Sequence, residues 1–255
     1  MKHTQDFLVR ADECGRDLVA RVASVNCYLQ EAAGYHATQL KVGADDLRPR
    51  GVTWMLLRLA LNITRLPRWR DTVRVTTWPS GTRGRLVATR EYAASLPPDE
   101  TPFLTATSEW GLVDIREQRL TRITDDIRAL RVPDGTPPSP PLPRLPEPSE
   151  THFSRAFPVR ESQVDFNRHV NNSHYIAWIF DAMDGHPKNA GIENPLLDIG
   201  HFPARLDIAF RLPANIGDTV RVENQRVPEN NTRLHTIRRE SDNALLVHAQ
   251  TTWPA

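Results

Sequence analysis

The chain has 255 residues, 39% of them hydrophobic, with 32 Lys and Arg against 31 Asp and Glu for a formal charge of +1. That is enough apolar material for a buried core in one large domain or two small ones, and the charge balance excludes a general nucleic-acid binder, which needs an excess of phosphate-neutralising side chains. Two cysteines, Cys14 and Cys27, are too few for a disulfide framework. The opening residues Met1-Lys2-His3-Thr4-Gln5-Asp6 lack an apolar signal core, and no run of about 18 apolar residues marks a membrane span. The expectation is a soluble cytoplasmic protein.

Residues 7–25 read as strand with turns, residues 17–22 showing short apolar alternation after the turn at Cys14-Gly15-Arg16. Helical spacing follows, with Tyr28, Leu29, Ala32, Ala33, His36 and Leu40 on one face and Asn26 as the cap. His36 on that face reads as a packed core histidine. From Gly51 onward strands dominate. Residues 52–57 and 59–64 form one candidate pair; residues 72–78 are rich in β-branched side chains; residues 86–94 and 103–113 flank a Pro97-Pro98 turn. One helix followed by a run of strands indicates an α+β fold with an antiparallel sheet.

Residues 132–149 break the pattern with eight prolines, from Pro133 to Pro148. Proline at that density sustains neither helix nor central strand and reads as an extended interdomain linker. Beyond it the order repeats. A helix is expected over residues 172–184, apolar almost all round and therefore enclosed, then strands over 205–211, 219–224, 234–239 and 245–253. The repetition extends to letters. Asp71-Thr72-Val73-Arg74-Val75 recurs as Asp218-Thr219-Val220-Arg221-Val222, and the Ala106 to Trp110 spacing recurs from Ala249 to Trp253. Two echoes in the same order, after matching helices, indicate duplication. Each half is then one helix wrapped by a curved antiparallel sheet, with the two sheets able to join edge to edge.

Chemistry concentrates just ahead of the second helix. Asp165, Asn167 and His169 occupy alternate positions, so an extended segment would project all three from one face. Asn171 or Asn172 can cap the helix that follows, next to its orphan N–H groups. A carboxylate, a carboxamide and an imidazole beside a helix N-terminus can bind and polarise a carbonyl. His169 and His174 lack the paired spacing of a zinc site, so no metal is expected. The first half has no such trio before its helix. With one active site, chemistry belongs to the second half and the first is free to shape a cavity.

Asp165-Phe166-Asn167-Arg168-His169-Val170-Asn171-Asn172-Ser173-His174-Tyr175 resembles the D-x-N-x-H-V-N-N-x-x-Y signature of acyl-acyl-carrier-protein thioesterases. Residues 29–33, 51–58 and 67–71 resemble that family's first helix and following strands, so the likeness covers nearly the whole chain outside the linker. The resemblance implies two tandem hotdog domains: residues 1–131 shaping the acyl-chain cavity, a Pro-rich linker over 132–150, and residues 151–255 carrying catalysis. It implies hydrolysis of the thioester between a fatty acyl chain and carrier-protein phosphopantetheine, without a cofactor, with Asp165, Asn167 and His169 catalytic. The bottom-up chemistry agrees. Hydrolysis needs a base for water, donors for the oxyanion and a group to orient the base; whether Asp165 or His169 activates water stays open. Asn171 and Asn172 at the helix start, and Trp54 and Met55 on a strand of the first half, are the substrate-binding candidates, although bulky apolar residues are often plain core.

The sequence departs from the family at one place. The Glu, and in plant members Glu-Cys, that precedes a Gly-Asp pair falls here on Pro213 and Ala214. A cysteine nucleophile is thereby excluded from that position. The expected partner is an acidic acyl carrier protein, attracted by Arg83, Arg85 and Arg90 or by Arg233, Arg238 and Arg239. Coenzyme A as the carrier, and a non-catalytic acyl-binding protein, are the alternatives. A double hotdog already contains the pairing that single hotdogs gain by dimerising, so a monomer or homodimer is expected.

Overall fold

Apolar spacing at helical period and β-branched runs at strand period divide the chain into two similar sets of elements. The computed structural model describes residues 2–130, 142–184 and 202–254. The first half contains β1 (His3–Leu8), α1 (Val22–Gln39), α2 (Ala44–Leu47), β2 (Val52–Ile63), β3 (Thr72–Arg83), β4 (Val87–Leu96), β5 (Asp99–Asp114), β6 (Arg119–Thr121) and α3 (Asp125–Arg128). The second contains β7 (Phe153–Pro158), α4 (Asn172–Asp184), β8 (Arg205–Phe210), β9 (Thr219–Val227), β10 (Thr232–Arg239) and β11 (Leu245–Thr252).

All strands join one antiparallel sheet in the order β1-β3-β4-β5-β2-β8-β11-β10-β9-β7, with β6 added on β5. Read inward from either edge the path is the same: β1-β3-β4-β5-β2 on one side, β7-β9-β10-β11-β8 on the other. The halves meet where β2 pairs with β8, from Arg58 opposite Ala209 to Asn62 opposite Arg205. The fold is α+β, two hotdog units each wrapping a helix. One apolar core runs through both, including Leu29 and Leu61 from the first half and Ile176, Ile179 and Ile208 from the second. Burying each such side chain contributes roughly 1.5–3 kcal/mol, so the seam is apolar cement as well as hydrogen bonds.

Several expectations are corrected. The first helix begins at Val22, not after Asn26, which is buried within it. The stretch expected as a strand over 17–22 is a turn with isolated bridges at Val19 and Ala20. Residues 52–57 and 59–64 are not a pair but one strand, with an irregularity between Leu56 and Arg58 that shifts its register against β5. Such a bulge adds a residue and a bend, which is how a long strand wraps a helix. The edge strands β1 and β7 lack a β-branched run: β1 opens on four polar residues, His3–Asp6, and β7 sets Ser154 and Arg155 between its two phenylalanines. The first part of the expected linker, residues 132–141, lies outside the described residues. The rest is pinned to the sheet: Arg58 Nη1 donates to Leu142 O at 2.6 Å and Nη2 to Pro143 O, Leu145 is buried, and His248 Nε2 donates to Pro146 O at 2.5 Å.

The duplication runs deeper than the letters. Trp110 Nε1 donates to Ser108 Oγ at 2.6 Å, and Trp253 Nε1 to Thr251 Oγ1 at 3.1 Å. Tyr92 meets the first hydroxyl at 3.3 Å and His235 the second at 3.0 Å. The same buried polar lattice is thus built twice with different letters.

Candidate active site

The Asp165–His169 stretch is not extended. Asp165 N–H donates to His169 O at 3.0 Å and Arg168 N–H to Asp165 O at 2.8 Å, closing a tight loop between the bridge partners Val164 and Val170. Arg168 takes the left-handed conformation, φ 67°. The expectation of a strand fails because Asp and Asn bind their own backbone: Asp165 Oδ1 accepts the Asn167 N–H at 2.8 Å, an Asx turn. The trio still faces one cavity, through loop curvature instead of strand alternation.

Asn171 caps α4 as expected. Its Oδ1 accepts the Ser173 N–H at 3.0 Å and the Ser173 hydroxyl at 2.7 Å. Its amide Nδ2 reaches back to Asp165 Oδ2 at 3.4 Å, tying loop to helix. Asn172 opens the helix and lies on the cavity wall. Both Asp165 oxygens are therefore engaged. The His169 ring is half-buried and, among the described residues, makes no side-chain hydrogen bond. His174, on the same wall, is held below the usual histidine range by burial and so stays neutral at neutral pH.

The first half builds the same loop without the chemistry. Gly15 N–H donates to Val19 O at 2.8 Å and Leu18 N–H to Gly15 O at 3.1 Å, with Leu18 left-handed at φ 61°. Gly15, Asp17 and Val19 stand where Asp165, Asn167 and His169 stand in the second. The duplicated loop keeps its shape, but Gly15 stands in place of the Asp165 carboxylate and Val19 in place of the His169 imidazole.

The cavity beside the trio has a volume of about 1370 Å³ and is walled by both halves. That exceeds the ~300–1,000 Å³ of an ordinary small-molecule pocket and suits a long ligand. Trp54 and Met55 are in its wall, as are Gln30 and Glu31 of α1. Trp54 is also core: its Nε1 donates to Val42 O at 2.8 Å and it packs in a second apolar cluster with Leu47, Leu112 and Ile127. Pro213 lies on the wall near the trio, because Val170 N–H donates to Ala214 O at 3.0 Å, and Tyr175 Oη accepts the Ala214 N–H at 2.7 Å. The family's Glu position is thus beside the loop, and here it holds no acid.

The arginines expected to draw a carrier are mostly occupied. Arg83 pairs with Glu109 at 3.2 Å, Arg239 with Asp218 at 3.2 Å and Asp242 at 2.9 Å, and Arg238 with Glu223 at 3.7 Å. Arg233 is buried and Arg90 lines the cavity interior. A different set rims the mouth: Arg48, Arg168 and Arg211, all exposed, around Phe166 at 68% exposure and Leu212 at 48%. No sequence pattern groups them; they come from three separate segments.

Residues 1–130 match the model of the acyl-ACP thioesterase N-terminal domain, and residues 146–255 that of the acyl-ACP thioesterase C-terminal domain. The chain belongs to the acyl-ACP thioesterase family. Among relatives, a chloroplastic acyl-[acyl-carrier-protein] hydrolase of Cuphea viscosissima is 28% identical over 191 residues, 70% of this chain and 46% of that protein. A chloroplastic oleoyl-acyl carrier protein thioesterase of Coriandrum sativum is 26% identical over 201 residues, 72% of this chain and 54% of its own. The chain spans about half the length of the curated relatives it matches. The family's fold is shared in full: the crystal structure of an acyl-ACP thioesterase from Bacteroides thetaiotaomicron superposes with a TM-score of 0.83 at 20% identity, covering 99% of this chain and 98% of that one. The 12:0-ACP thioesterase of Umbellularia californica gives 0.78 at 22% identity, covering 99% and 97%.

Proposed function

We propose that this protein hydrolyses fatty acyl thioesters of acyl carrier protein, releasing free fatty acid and the carrier thiol. Family membership supports the reaction class. The observation that carries the reading is the loop that brings Asp165, Asn167 and His169 onto the wall of a cavity large enough for a long chain. The second half supplies the chemistry and the first half the acyl-chain cavity, with Trp54 and Met55 in its wall.

The hydrogen bonds favour a division of labour. Asp165 spends both carboxylate oxygens on the loop and on Asn171, so its part is to hold the trio in shape. His169, with its ring free, takes the proton as water attacks the carbonyl carbon. Asn167 donates to the oxyanion that forms. The C–S bond then breaks and the departing thiolate takes the proton back from His169. A positioned base of this kind contributes roughly 10²–10⁴-fold. With Pro213 and Ala214 beside the loop, no acyl–enzyme intermediate forms there.

The rim favours a protein carrier over coenzyme A. Arg48, Arg168 and Arg211 present positive charge around exposed Phe166 and Leu212, which complements an acidic surface with an apolar centre. The test is fatty acid release from a panel of acyl-ACP and acyl-CoA substrates. Turnover with acyl-ACP, and a KM raised about tenfold or more by Arg168→Glu with kcat nearly unchanged, is expected. Background rates on every acyl-ACP, with acyl binding retained, would favour a non-catalytic acyl-binding role instead.

A further inference from the structure

Helix α1 gives one face to the cavity. Cys27, Gln30, Glu31 and Gly34 line it at the spacing of a single helical stripe, while Val25, Leu29, Ala32 and His36 are buried elsewhere round the helix. Space beside the stripe is open: a Cβ added at Gly34, one turn beyond Gln30, would meet no atom within 4 Å. The loop of the trio stands close by. Arg48, which follows α1 and the short α2, donates from Nη2 to Phe166 O at 3.5 Å, between Asp165 and Asn167. α1 also packs against α4, the helix into which that loop leads.

Gln30 differs from its neighbours on that stripe. Its Nε2 is buried and meets no acceptor, and among the described residues that line the cavity it alone carries such an orphaned atom. Glu31 beside it is exposed and keeps its hydration. A buried N–H without a partner costs free energy that an apolar side chain at the same place would avoid. The carboxamide makes no hydrogen bond with the described residues, so it can turn about its last bond and aim the donor into the cavity without breaking one. The acceptor then comes from the ligand. A hydrocarbon chain has none, and the amides of a pantetheine arm lie outward, toward the rim of Arg48, Arg168 and Arg211. The acceptor that must sit beside the trio is the thioester carbonyl.

We propose that Gln30 is a catalytic residue supplied by the first half, its amide donating to the thioester carbonyl oxygen as that oxygen becomes negative. Water attacks the carbonyl carbon, His169 takes its proton, and the C=O electron pair moves onto oxygen, where Asn167 and Gln30 both donate. When the carbonyl re-forms, the C–S pair leaves with sulfur, and the thiolate recovers the proton from His169. A donor with no structural bond to give up is available wherever charge develops, and one such donor contributes roughly 10²–10³-fold to kcat. The first half then touches the reacting atoms as well as walling the cavity.

This inference rests on the thioester-hydrolase reading, and the experiment separates the two. Gln30→Leu removes the donor at similar size, and Gln30→Glu keeps the shape but sets negative charge where the donor was. Both are compared with wild type for kcat and KM on acyl-ACP above neutral pH, for melting temperature, and for hydrolysis of an acyl ethanethiol ester, which has no amide, at enzyme excess. The expected result is a kcat at least about tenfold lower in Gln30→Leu with KM nearly unchanged, and lower still in Gln30→Glu. The same fold loss appears on the ethanethiol ester, and Gln30→Leu melts no lower than wild type because the orphaned donor is gone. Either folded variant hydrolysing acyl-ACP within about threefold of wild type overturns the inference. So does a raised KM with kcat unchanged, or a loss that vanishes on the ethanethiol ester, which would put the amide on the carrier's arm. Each of these leaves the hydrolase reading intact. Wild type inactive on every acyl-ACP overturns that reading, and the inference with it.

Discussion

Asp165 and Asn171 show how one residue can hold structure and chemistry together. Asp165→Asn keeps an oxygen for the Asn167 N–H but loses the charge, whereas Asp165→Ala loses the acceptor as well. The expected outcome is a large loss of kcat in both, with a melting temperature lowered clearly only in Asp165→Ala, by about 1 kcal/mol or more of stability. Equal melting temperatures in the two variants would contradict the anchoring role. Tyr175 is a second test. Its phenol, pushed up to about 12 chiefly by burial, accepts the buried Ala214 N–H. Tyr175→Phe leaves that donor orphaned and should cost roughly 1–3 kcal/mol in urea unfolding. His36 and His235 carry a pH prediction. Burial holds them at about 4 and about 3, below the ordinary 6.5, so between those values the unfolded chain binds more protons than the folded one. Their stabilisation is complete above about pH 6.5 and is lost as pH falls towards the folded values, at up to about 1.4 kcal/mol per pH unit for each. Unfolding free energies that stay level from pH 7 to pH 5 would contradict this.

At the scale of elements, strand content was legible wherever β-branched residues ran together, as in β3, β9 and β11. The helix α4 was legible from Asn172 to Asp184 because Asn171 caps it and Tyr175, Ile176, Ile179, Ala182 and Met183 repeat at helical spacing. The start of α1 was not, because Arg21 precedes it without a side-chain cap and Val22 and Val25 look like strand residues. The loop shape of the trio was hidden for a related reason. Alternation at every second residue is the mark of a strand, and only the Asx turn at Asp165 and the left-handed Arg168 reveal otherwise. The letters of the trio were readable from sequence; their common wall was not, since it includes α1 from the other half. The rim arginines were invisible for that reason too. As a surface reading Arg90 counted as one charge among many, and only its bonds to His36 and Thr77 on the cavity wall set it apart.

The whole molecule is one sheet built from two copies over a shared main core. Because β2 and β8 share a seam and the apolar core crosses it, neither half closes its own interior. Calorimetry should give a single unfolding transition with agreeing calorimetric and van't Hoff enthalpies; two resolved transitions would mean the halves are separable. The copies differ where it matters: one loop holds Gly15, Asp17 and Val19, the other Asp165, Asn167 and His169. The cavity lies against the second loop and is also walled by residues of the first half, so of the two like loops only the one that carries the trio faces it with a carboxylate and an imidazole. The account therefore turns on His169, which has no structural bond to lose. Single-turnover hydrolysis of an acyl-carrier-protein thioester should slow by at least about a hundredfold in His169→Ala, with the melting temperature unchanged. A correctly folded His169→Ala protein that stays within about tenfold of wild type would contradict it.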